Sequence, residues 1–586
     1  MADRVKFKDL SPEEKQEYRD RLRHSTAHVL AEAVTKLFPD AQLTIGPPIE
    51  DGFYYDFAVP EPFTPDDLKK IEKEMRNSIK ANTEFAERET SRDEALELVG
   101  DNKYKVEILE GILADERVTF CSHSDGAFED LCRGGHMERT GDIKAYKLLS
   151  TAGAYWRGDE NNAMLQRIYG TAWESRDAQK DYLKRLEEAE KRDHRKLGRQ
   201  LGLFFFDPIA PASPFFLPKG AQVMNGLIEY VKELYGKYGY QEVMTPQIFN
   251  TDLWKKSGHL DVYAENMYFV EVDEREFGVK PMNCPAGAMI YAADSHSYRD
   301  LPMRLADFGR LHRNERSGVT HGLTRVRSFV QDDAHIFCTL DQIGDEINSF
   351  LQMLNEAYET LGFESYRLEL SLRPEKRVGS EEMWDRAEAA LTEILDASGV
   401  EYEAESGEGA FYGPKIDIFV PDAIGRHWQL GTVQLDFSLP ERFDLEYAAE
   451  DGSRQRPVVI HRAMYGSLER FLGVLIEHLS GAFPLWLAPV QAVVVPIADR
   501  HIDYCHNVGA ELESAGVRVV VDDSNDRMNA KIRQAQLQKV PYMLVAGDQE
   551  IEAGTLAVRT RTGENIEPMT VAEVSTKFLR QIAERS

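Results

Sequence analysis

A highly charged segment, residues 176–201, is the feature that most constrains how this chain can fold. Its sequence, RDAQKDYLKRLEEAEKRDHRKLGRQL, carries apolar residues at helical intervals among many charged ones, which predicts an exposed helix. Because such a helix has little apolar surface to bury, it separates regions that must each form their own core. We therefore expect a linker helix and a domain boundary here. Its second half concentrates the basic residues Lys191, Arg192, Arg195, Lys196 and Arg199.

The region before this helix, residues 1–175, mixes helical and strand patterns. Apolar residues recur at helical intervals around 13–37 and 65–81. The stretch 45–57, IGPPIEDGFYYDF, has Gly and Pro followed by aromatic residues, which indicates a turn and then a strand. We expect an N-terminal α+β domain over residues 1–175.

The region after the helix, residues 202–485, is the largest block of the chain. It carries strand-like runs at 433–437 and 456–460 and helical patterns around 221–238, 341–361 and 467–479. Strands and helices do not alternate regularly in this block. That arrangement favours an antiparallel sheet with packed helices over a doubly wound parallel sheet.

The final region, residues 486–586, has a different pattern. Short β-branched runs at 493–496, 517–522, 542–547 and 556–560 are separated by helical patterns at 501–515 and 526–539. This alternation predicts a small α/β domain. The fold expected for the whole chain is therefore a multidomain α+β architecture.

Net charge and targeting signals narrow the class of protein. The chain has 70 Lys and Arg against 100 Asp and Glu, a formal net charge of -30, which argues against a protein that coats nucleic acid or a membrane surface. This net charge does not exclude a nucleic-acid enzyme that has a local stretch of basic residues. The N-terminus has no apolar signal core, no stretch is apolar enough to span a bilayer, and the five cysteines are scattered. We expect a cytoplasmic enzyme that does not associate with membranes.

Two pairs of metal-binding side chains stand in the N-terminal region. His24 and His28 are four residues apart in HSTAH, which on a helix places both imidazoles on one face. Cys132 and His136 have the same spacing in CRGGH, and Asp130 precedes them. The set fits a metal site or a hydrolytic site, although HSTAH lacks the Glu of a zinc protease motif. Histidines of a helix surface or a core remain the alternative.

Arginines concentrate in the largest block. Residues 304–335 contain Arg304, Arg310, Arg313, Arg316, Arg325 and Arg327. Guanidinium groups bind phosphates and carboxylates bidentately, so this density favours a nucleotide or nucleic-acid site over a solvated charged face. Cys284, His335 and His461 occur in the same block, but no local zinc spacing joins them. A core cysteine and structural histidines remain the alternative for these three.

Segments spread along the chain share the sequence pattern of one family. They are MNCP (282–285), HRNE (312–315), LTRVRSFVQDDAHIF (323–337), FYGPKID (411–417), WQLGTVQLDF (428–437) and IHRAMYGSLERF (460–471), with HSTAH, DLCRGGH, PYMLVAGD and LAVRTR. Together they resemble threonyl-tRNA synthetases, which are class II aminoacyl-tRNA synthetases. The resemblance implies an editing domain at 1–175, the linker helix at 176–201, a class II catalytic domain at 202–485 and an anticodon-binding domain at 486–586.

The reaction that this resemblance implies charges tRNA with threonine in two steps. ATP and L-threonine would give threonyl-adenylate and pyrophosphate, and the threonyl group would pass to the 3' end of tRNA(Thr). The residues implied for ATP and catalysis are Arg313, Glu315, Arg325, Gln429 and Arg470, with Mg²⁺ bridging the ATP phosphates. The residues implied around the bound threonine are Gln331, Asp333, Tyr412 and Gln434.

The resemblance also implies one zinc ion per subunit, held in the catalytic domain by Cys284, His335 and His461. Three protein ligands leave a position open for the amino group and hydroxyl of threonine. Threonine and valine have nearly the same shape, but a site that demands a hydroxyl rejects valine strongly.

Serine carries the same amine and hydroxyl as threonine, so this zinc site rejects it poorly. The family removes serine from tRNA at a second, hydrolytic site, and the resemblance assigns His24, His28, Asp130, Cys132 and His136 to it. These residues leave open whether a metal takes part. For anticodon reading the resemblance implies Asn525, Glu550 and Arg559, and for a homodimer interface it implies residues 239–249.

Three departures from the family pattern stand out. The family usually begins with a small ubiquitin-like domain, whereas this sequence starts at the editing region, so we expect the form that lacks that domain. MNCPAGAM lacks the His that commonly follows MNCPG, and CRGGH has Gly where Pro is usual.

Other functions fit the same sequence less well. A non-catalytic RNA-binding regulator would not need Arg313, Arg470 or the zinc ligands, all of which are present. A hydrolase that acts only on mischarged tRNA would not need the block 202–485. Synthetases for serine or proline do not combine the Cys/His/His set with the HSTAH and CRGGH pairs.

Overall fold

The computed structural model describes residues 7–112, 116–159, 161–398 and 400–586. This described chain forms two compact units, one up to residue 187 and one from residue 188 onward. The division falls within the charged segment 176–201, where the sequence predicts a boundary. The finer division into four segments stays a prediction.

The N-terminal unit combines helices with antiparallel sheets. Its helices are α1 (Pro12–Leu37), α2 (Pro65–Ala81), α3 (Arg92–Val99), α4 (Lys103–Gly111) and the start of α5 (Arg176–Arg192). Its strands are β1 (Gln42–Leu43), β2 (Pro48–Ile49), β3 (Gly52–Ala58), β4 (Ala86–Thr90), β5 (Val118–His123), β6 (Phe128–Leu131), β7 (Ala145–Tyr155) and β8 (Met164–Trp173). One sheet has the order β1-β3-β8-β7 with β2 beside β3, and another has the order β4-β5-β6. The expected α+β fold of this region is confirmed.

Helix α1 is fixed at its start and buried in its second half. Ser11 accepts a hydrogen bond from the Glu14 backbone N–H, and the Glu14 carboxylate accepts one from the Ser11 N–H, which is a capping box. The stretch from Leu22 to Val34 is buried against β3 and β8, apart from the partly exposed His24. The helix therefore holds the HSTAH motif rigidly on the edge of the core.

Most helices and strands of the second unit lie in its first part, up to residue 478. Its helices up to residue 478 are α6 (His194–Gln200), α7 (Pro218–Tyr238), α8 (Thr251–Ser257), α9 (His259–Val262), α10 (Cys284–Ala292), α11 (Ile343–Thr360), α12 (Glu381–Ser398), α13 (Ser438–Phe443) and α14 (Leu468–His478). The strands of the same part are β9 (Phe204–Phe205), β10 (Phe215–Phe216), β11 (Gln241–Glu242), β12 (Ile248–Asn250), β13 (Tyr268–Val272), β14 (Arg275–Val279), β15 (His296–Ser297), β16 (Met303–Asp307), β17 (Arg310–His312), β18 (Ser328–Val330), β19 (Asp333–Cys338), β20 (Arg367–Ser371), β21 (Tyr402–Glu405), β22 (Lys415–Pro421), β23 (His427–Asp436), β24 (Tyr447–Ala448), β25 (Arg454–Gln455) and β26 (Val458–Ala463).

One long sheet organises this part of the unit. Its strand order is β11-β16-β19-β26-β23-β22-β20-β21. The inner pairs are antiparallel, and only the outermost pairs, β11 with β16 and β20 with β21, are parallel among the described strands. Helices α7, α11 and α14 contribute buried side chains to the same core as the sheet. The predicted antiparallel sheet with packed helices is confirmed.

The end of the chain forms a small α/β fold. Its strands are β27 (Ala492–Pro496), β28 (Val519–Val521), β29 (Tyr542–Ala546), β30 (Leu556–Thr560) and β31 (Asn565–Met569), and its helices are α15 (Ile502–Ser514), α16 (Met528–Leu537), α17 (Asp548–Ala553) and α18 (Val571–Glu584). The strand order is β28-β27-β29-β30-β31, and β27 runs parallel to both of its neighbours. The α/β prediction for this region is confirmed.

The charged segment differs from its prediction. It is not one exposed helix, because α5 ends at Arg192 and α6 starts anew after Asp193, whose carboxylate accepts from the Arg195 N–H. Within α6, His194 and Leu197 are buried, and the helix packs on α14. The expectation of an exposed helix is therefore wrong for this half.

The strand expected at 456–460 starts only at Val458. Pro457 precedes it and has no N–H to donate to a neighbouring strand.

A buried ion pair fixes the strand β26 in the second unit. The Asp332 carboxylate accepts from the backbone N–H groups of Met464 and Tyr465 at 2.8 and 3.0 Å and lies 3.7 Å from the Arg462 guanidinium. Asp332→Ala leaves Arg462 buried without its carboxylate, which should lower the free energy of unfolding by about 3–5 kcal/mol. Asp341→Ala, at an exposed carboxylate, should stay within about 0.5 kcal/mol of the wild type. Urea denaturation measures both, and equal midpoints for the two variants would contradict this role of Asp332.

Candidate functional site

Cross-strand pairing brings together three residues that are far apart in sequence. His335 on β19 lies directly opposite His461 on β26, and their ring centroids are 4.8 Å apart. Cys284 is the first residue of α10. Its Sγ and one nitrogen of each histidine all lie within 4.8 Å of one another, and the three side chains are buried.

The electrostatics of this cluster suit a cation. His335 Nε2 and His461 Nδ1 are buried and have no hydrogen-bond partner among the described residues. His461 Nε2 donates to Asp436 Oδ2 at 2.9 Å, so in the neutral imidazole that binds a metal the lone pair is on Nδ1. Burial disfavours the Cys284 thiolate, but the neighbouring His461 and His335 outweigh it and lower the pKa of the thiol. Two unpartnered imidazole nitrogens and an ionisable thiol form the donor set of a zinc site with an open position.

Two of the residues predicted around the substrate lie beside this cluster. Gln434 on β23 is directly opposite His461. Tyr412 OH donates to Gln434 Oε1, and the Tyr412 ring centroid is 4.9 Å from that of His461. The structure therefore brings both residues together with the metal-ligand candidates.

Asp333 lies on the same side of the sheet as His335, because the two are separated by one residue on β19. Asn283 Nδ2 donates to Asp333 Oδ2 at 3.0 Å and to the Asp307 carbonyl at 3.3 Å. Sequence reasoning did not single out Asn283. The signal that could have found it is its place inside MNCP, immediately before Cys284.

An open pocket of about 630 Å³ lies next to the cluster, because Gln434, which lines the pocket, is directly opposite His461. All the residues that the resemblance implies for ATP line this pocket: Arg313, Glu315, Arg325, Gln429 and Arg470. Gln331 lines it as well. The volume is typical of a small-molecule site, so the structure gathers these predicted residues around one cavity.

The positive side chains of the pocket differ in how they are held. Arg325 Nη2 lies 2.9 Å from Glu315 Oε2. Arg470 stands in the first turn of α14, where burial and then the charge of Arg325 lower the pKa of its guanidinium. Its Nε is buried and has no hydrogen-bond partner among the described residues. An Arg side chain with unused donors beside a cavity is suited to a phosphate group.

Four other arginines of the run lie outside the lining of this pocket. Arg304 forms a two-bond ion pair with Glu346, at 2.6 Å for each bond. The described lining of the pocket does not include Arg304, Arg310, Arg316 or Arg327. These four arginines therefore do not line this pocket, and a nucleotide or nucleic-acid role for them stays a prediction.

The two N-terminal pairs meet in the first unit. The rings of His24 and His136 are stacked with centroids 4.3 Å apart, and the centroid of His28 is 4.5 Å from that of His136. Cys132 Sγ lies 3.2 Å from His136 Nε2. One donor atom from each of the four residues falls within 4.8 Å of the others. Helix spacing on α1 and the loop after β6 thus build one cluster.

This histidine and cysteine cluster opens on a pocket of about 1180 Å³, lined by His24, His28, Asp130 and Cys132 among others. Burial, with His136 and His24 as further causes, holds the pKa of His28 well below its usual value. Burial, followed by His24 and His123, lowers the pKa of His136 to about 3. Both imidazoles are therefore neutral at physiological pH and can accept hydrogen bonds.

Asp130 pairs with two side chains that sequence reasoning missed. Lys105 Nζ lies 2.7 Å from Asp130 Oδ1, and Tyr55 OH donates to Asp130 Oδ2 at 2.5 Å. All three residues are buried. No spacing in the sequence joins Tyr55, Lys105 and Asp130, because they come from β3, α4 and β6.

The Gly that departs from the family pattern in CRGGH has a structural consequence. Gly135 has φ +82°, a value that Pro cannot adopt. Its N–H donates to Glu87 Oε1 at 2.9 Å, and Pro has no N–H to donate. This loop therefore has a conformation that the usual Pro would not permit.

The predicted anticodon residues occupy three elements of the C-terminal α/β fold. Asn525 is exposed in the loop after β28, and Glu550 lies on α17 after β29, where its carboxylate accepts from the Gly547 N–H at 3.0 Å. Arg559 is on β30 opposite Met543, near the start of β29. No hydrogen bond between these three side chains is present in the described residues, so their common role stays a prediction.

Across the described ranges, no helix combines the length and the apolar character needed to cross a membrane.

Comparison with protein families gives three matches along the chain. Residues 118–169 match the threonyl and alanyl tRNA synthetase second additional domain. Residues 268–479 match the tRNA synthetase class II core domain (G, H, P, S and T), and residues 491–581 match an anticodon binding domain.

Curated relatives and a solved structure agree with these matches. The chain is 51% identical to the threonine–tRNA ligase of Acetivibrio thermocellus over 566 residues, which are 96% of this chain and 89% of the relative. It is 53% identical to the threonine–tRNA ligase of Thermotoga maritima over 548 residues, 93% of this chain and 85% of the relative. A crystal structure described as the RNA binding domain of threonyl-tRNA synthetase from Cryptosporidium parvum Iowa II superimposes with a TM-score of 0.64 at 47% identity, covering 66% of this chain and 98% of that one.

The buried Lys105–Asp130 pair generates a prediction about stability. Lys105→Met should lower the free energy of unfolding of the N-terminal unit by about 3–5 kcal/mol, because it leaves the Asp130 carboxylate buried without its cation. Lys103→Met, at an exposed lysine on the same helix, should change it by less than about 0.5 kcal/mol. Thermal unfolding followed by circular dichroism compares the two variants. An unaltered melting curve for Lys105→Met would show that the pair does not support this unit.

Proposed function

The chain belongs to the threonine–tRNA ligase family, and from this premise we propose how its residues carry out the reaction. It activates L-threonine with ATP to threonyl-adenylate and transfers the threonyl group to the 3' end of tRNA(Thr). It also hydrolyses mischarged Ser-tRNA(Thr) at a separate editing site. The observation that carries the proposal is that the buried Cys284, His335 and His461 cluster lies beside the arginine-lined pocket, because Gln434 lines that pocket and is directly opposite His461.

ATP occupies the pocket lined by Arg313, Arg325 and Arg470. Activation needs the phosphates held in line with the threonine carboxylate and their growing negative charge neutralised. Arg313 takes the α-phosphate, Arg470 lies near adenine and the γ-phosphate, and Glu315 lies toward adenine. Mg²⁺ bound with ATP would neutralise part of the charge of the phosphates. Gln429 contributes a polar side chain to the same lining.

Threonine lies between this pocket and the buried cluster. Asp333, Gln331, Tyr412 and Gln434 supply the polar groups around its amine and hydroxyl. Cys284, His335 and His461 fit a zinc ion, because their unpartnered nitrogens and ionisable thiol converge. A bound zinc ion would supply a Lewis-acid position that favours an amino acid with a hydroxyl. Asp436 would orient His461 through its 2.9 Å hydrogen bond.

The N-terminal cluster is the editing site. The neutral imidazoles of His24, His28 and His136 accept hydrogen bonds, so they can hold the water that attacks the ester of Ser-tRNA(Thr). Cys132 borders the same pocket. Asp130, which pairs with Lys105 and Tyr55, lines the same pocket and offers its carboxyl group to the amine of the seryl group.

The C-terminal α/β fold reads the anticodon of tRNA(Thr) through Asn525, Glu550 and Arg559, since exposed polar side chains recognise unstacked bases. We assign one role to each of the four segments of the chain. Editing belongs to 1–175, the link between domains to 176–201, catalysis to 202–485 and anticodon binding to 486–586.

The protein acts as a homodimer through the segment 239–249. Within it, Met244 is 85% exposed and Ile248 51% exposed, so the segment offers apolar surface for a second subunit to bury. We propose a cytoplasmic location. All five cysteines lie in described parts of the chain and are free thiols, which agrees with a reducing compartment.

Removal of one zinc ligand tests the threonine site. His335→Ala should contain far less than one zinc per subunit and should charge tRNA(Thr) more than about 100-fold more slowly. His427→Ala, at an exposed histidine of the same sheet, should keep the zinc content and charging rate of the wild type. Elemental analysis and aminoacylation with labelled threonine measure the two properties. Full zinc content in His335→Ala would refute the ligand assignment.

Loss of both helix histidines tests the editing site. His24→Ala combined with His28→Ala should slow deacylation of Ser-tRNA(Thr) by about 100-fold or more, because the water loses its acceptors. Threonylation should stay within about twofold of the wild type, since the catalytic pocket is in the other unit. Deacylation of preformed Ser-tRNA(Thr) gives the rate, and an unaltered rate would remove the assignment.

A further inference from the structure

His194 connects the charged segment 176–201 to the pocket lined by Arg313, Arg325 and Arg470, the nucleotide pocket. It is the first residue of α6 and only 1% exposed. Its Nδ1 lies 2.6 Å from Glu477 Oε1, and the Leu323 backbone N–H donates to its Nε2 at 2.9 Å. An amide N–H can only donate, so Nε2 is the unprotonated acceptor and the ring proton on Nδ1 is donated to Glu477.

These bonds exclude a metal at this cluster. Asp193, His194 and Glu477 place donor atoms within 4.8 Å of one another, as a metal site would. Both ring nitrogens of His194 are already used, and Glu477 also pairs with Arg426. The cluster is therefore a hydrogen-bonded joint between α6, α14 and the loop that contains Leu323.

The loop that His194 holds is a tight turn. The His321 and Arg325 backbones exchange hydrogen bonds at 3.1 and 3.2 Å, and Leu323 between them is fully buried. Gly322 has φ +47°, and a Cβ at that position would lie 2.2 Å from His194 Nε2. The apex of the turn is thus pressed against the imidazole so closely that it requires glycine.

The open end of the same turn faces the nucleotide pocket. His321, Thr324 and Arg325 all line the cavity of about 630 Å³, and Arg325 pairs with Glu315 across it. Glu477, which accepts the hydrogen bond of His194, is on α14. The same helix carries Arg470. The joint therefore sets the position of one pocket arginine relative to another.

We propose that His194 is a positioning residue for the nucleotide pocket. By accepting from the Leu323 N–H and donating to Glu477, it keeps the turn 321–325 seated on α14, so that Arg325 reaches the phosphates of bound ATP. This inference rests on the proposed function of the pocket as the ATP site. It assigns a role in catalysis to a segment whose charge pattern alone indicated only a linker.

Two substitutions separate the hydrogen bonds of His194. Asn has an amide that reaches Glu477 but not Leu323, whereas the longer Gln places an oxygen near the position of Nε2. His194→Asn should raise KM for ATP in threonine-dependent ATP–pyrophosphate exchange about tenfold, with kcat changed by less than about twofold. Hydrogen exchange of the amides at 321–325 should become faster. His194→Gln should restore most of both properties.

A double-mutant cycle distinguishes positioning from a general loss of stability. If His194 acts through Arg325, His194→Asn should add less than about twofold to KM for ATP once Arg325→Gln is present. A full tenfold effect in that background, or unchanged exchange at 321–325 in His194→Asn, would overturn the proposal.

The wild-type protein separates this inference from the function on which it rests. If the wild type shows no threonine-dependent exchange, the proposed function fails. If the wild type is active and His194→Asn matches it in KM and hydrogen exchange, only the role of His194 fails.

Discussion

The pairing of β19 with β26, and of β26 with β23, is the contact on which the catalytic unit depends. Its register sets His335, His461 and Gln434 side by side on three neighbouring strands. A slip of one residue would turn every side chain of a strand to the opposite face. Two features hold the register: the core under the sheet, and the Asp332 carboxylate bound to the backbone just after β26. The proposed threonine site is therefore built on backbone pairing, with helices and loops arranged around it.

The sequence predicts much of this arrangement where local patterns carry the information. Helix spacing places His24 and His28 together, and the alternation of strands and helices identifies the C-terminal fold. Contacts across distant strands carry no such signal: only the family resemblance joined Cys284 to His335 and His461, and nothing indicated Lys105 beneath Asp130. The prediction of an exposed helix was wrong for the second half of the charged segment for a related reason. The residues that bury α6 come from distant parts of the sequence.

The net charge of -30 does not show where the basic residues of the protein lie. Part of the basic run at 191–199 is used inside the fold, where Arg192 donates to the carbonyls of Glu477 and His478 and Arg195 pairs with Asp193. Three other arginines, Arg313, Arg325 and Arg470, line one pocket. An acidic protein with three arginines around one pocket agrees with the proposed ATP site and differs from a protein that coats nucleic acid.

Amino-acid-dependent ATP–pyrophosphate exchange tests most directly the claim that the buried Cys–His–His cluster selects threonine. With zinc bound, threonine should support fast exchange, serine should support it at a reduced rate, and valine should fall below threonine by about 10⁴-fold or more, because it lacks the hydroxyl. Removing zinc with a chelator should abolish exchange with threonine, and adding zinc back should restore it. Exchange with valine at a rate near that of threonine, or full activity of the zinc-free protein, would contradict the account.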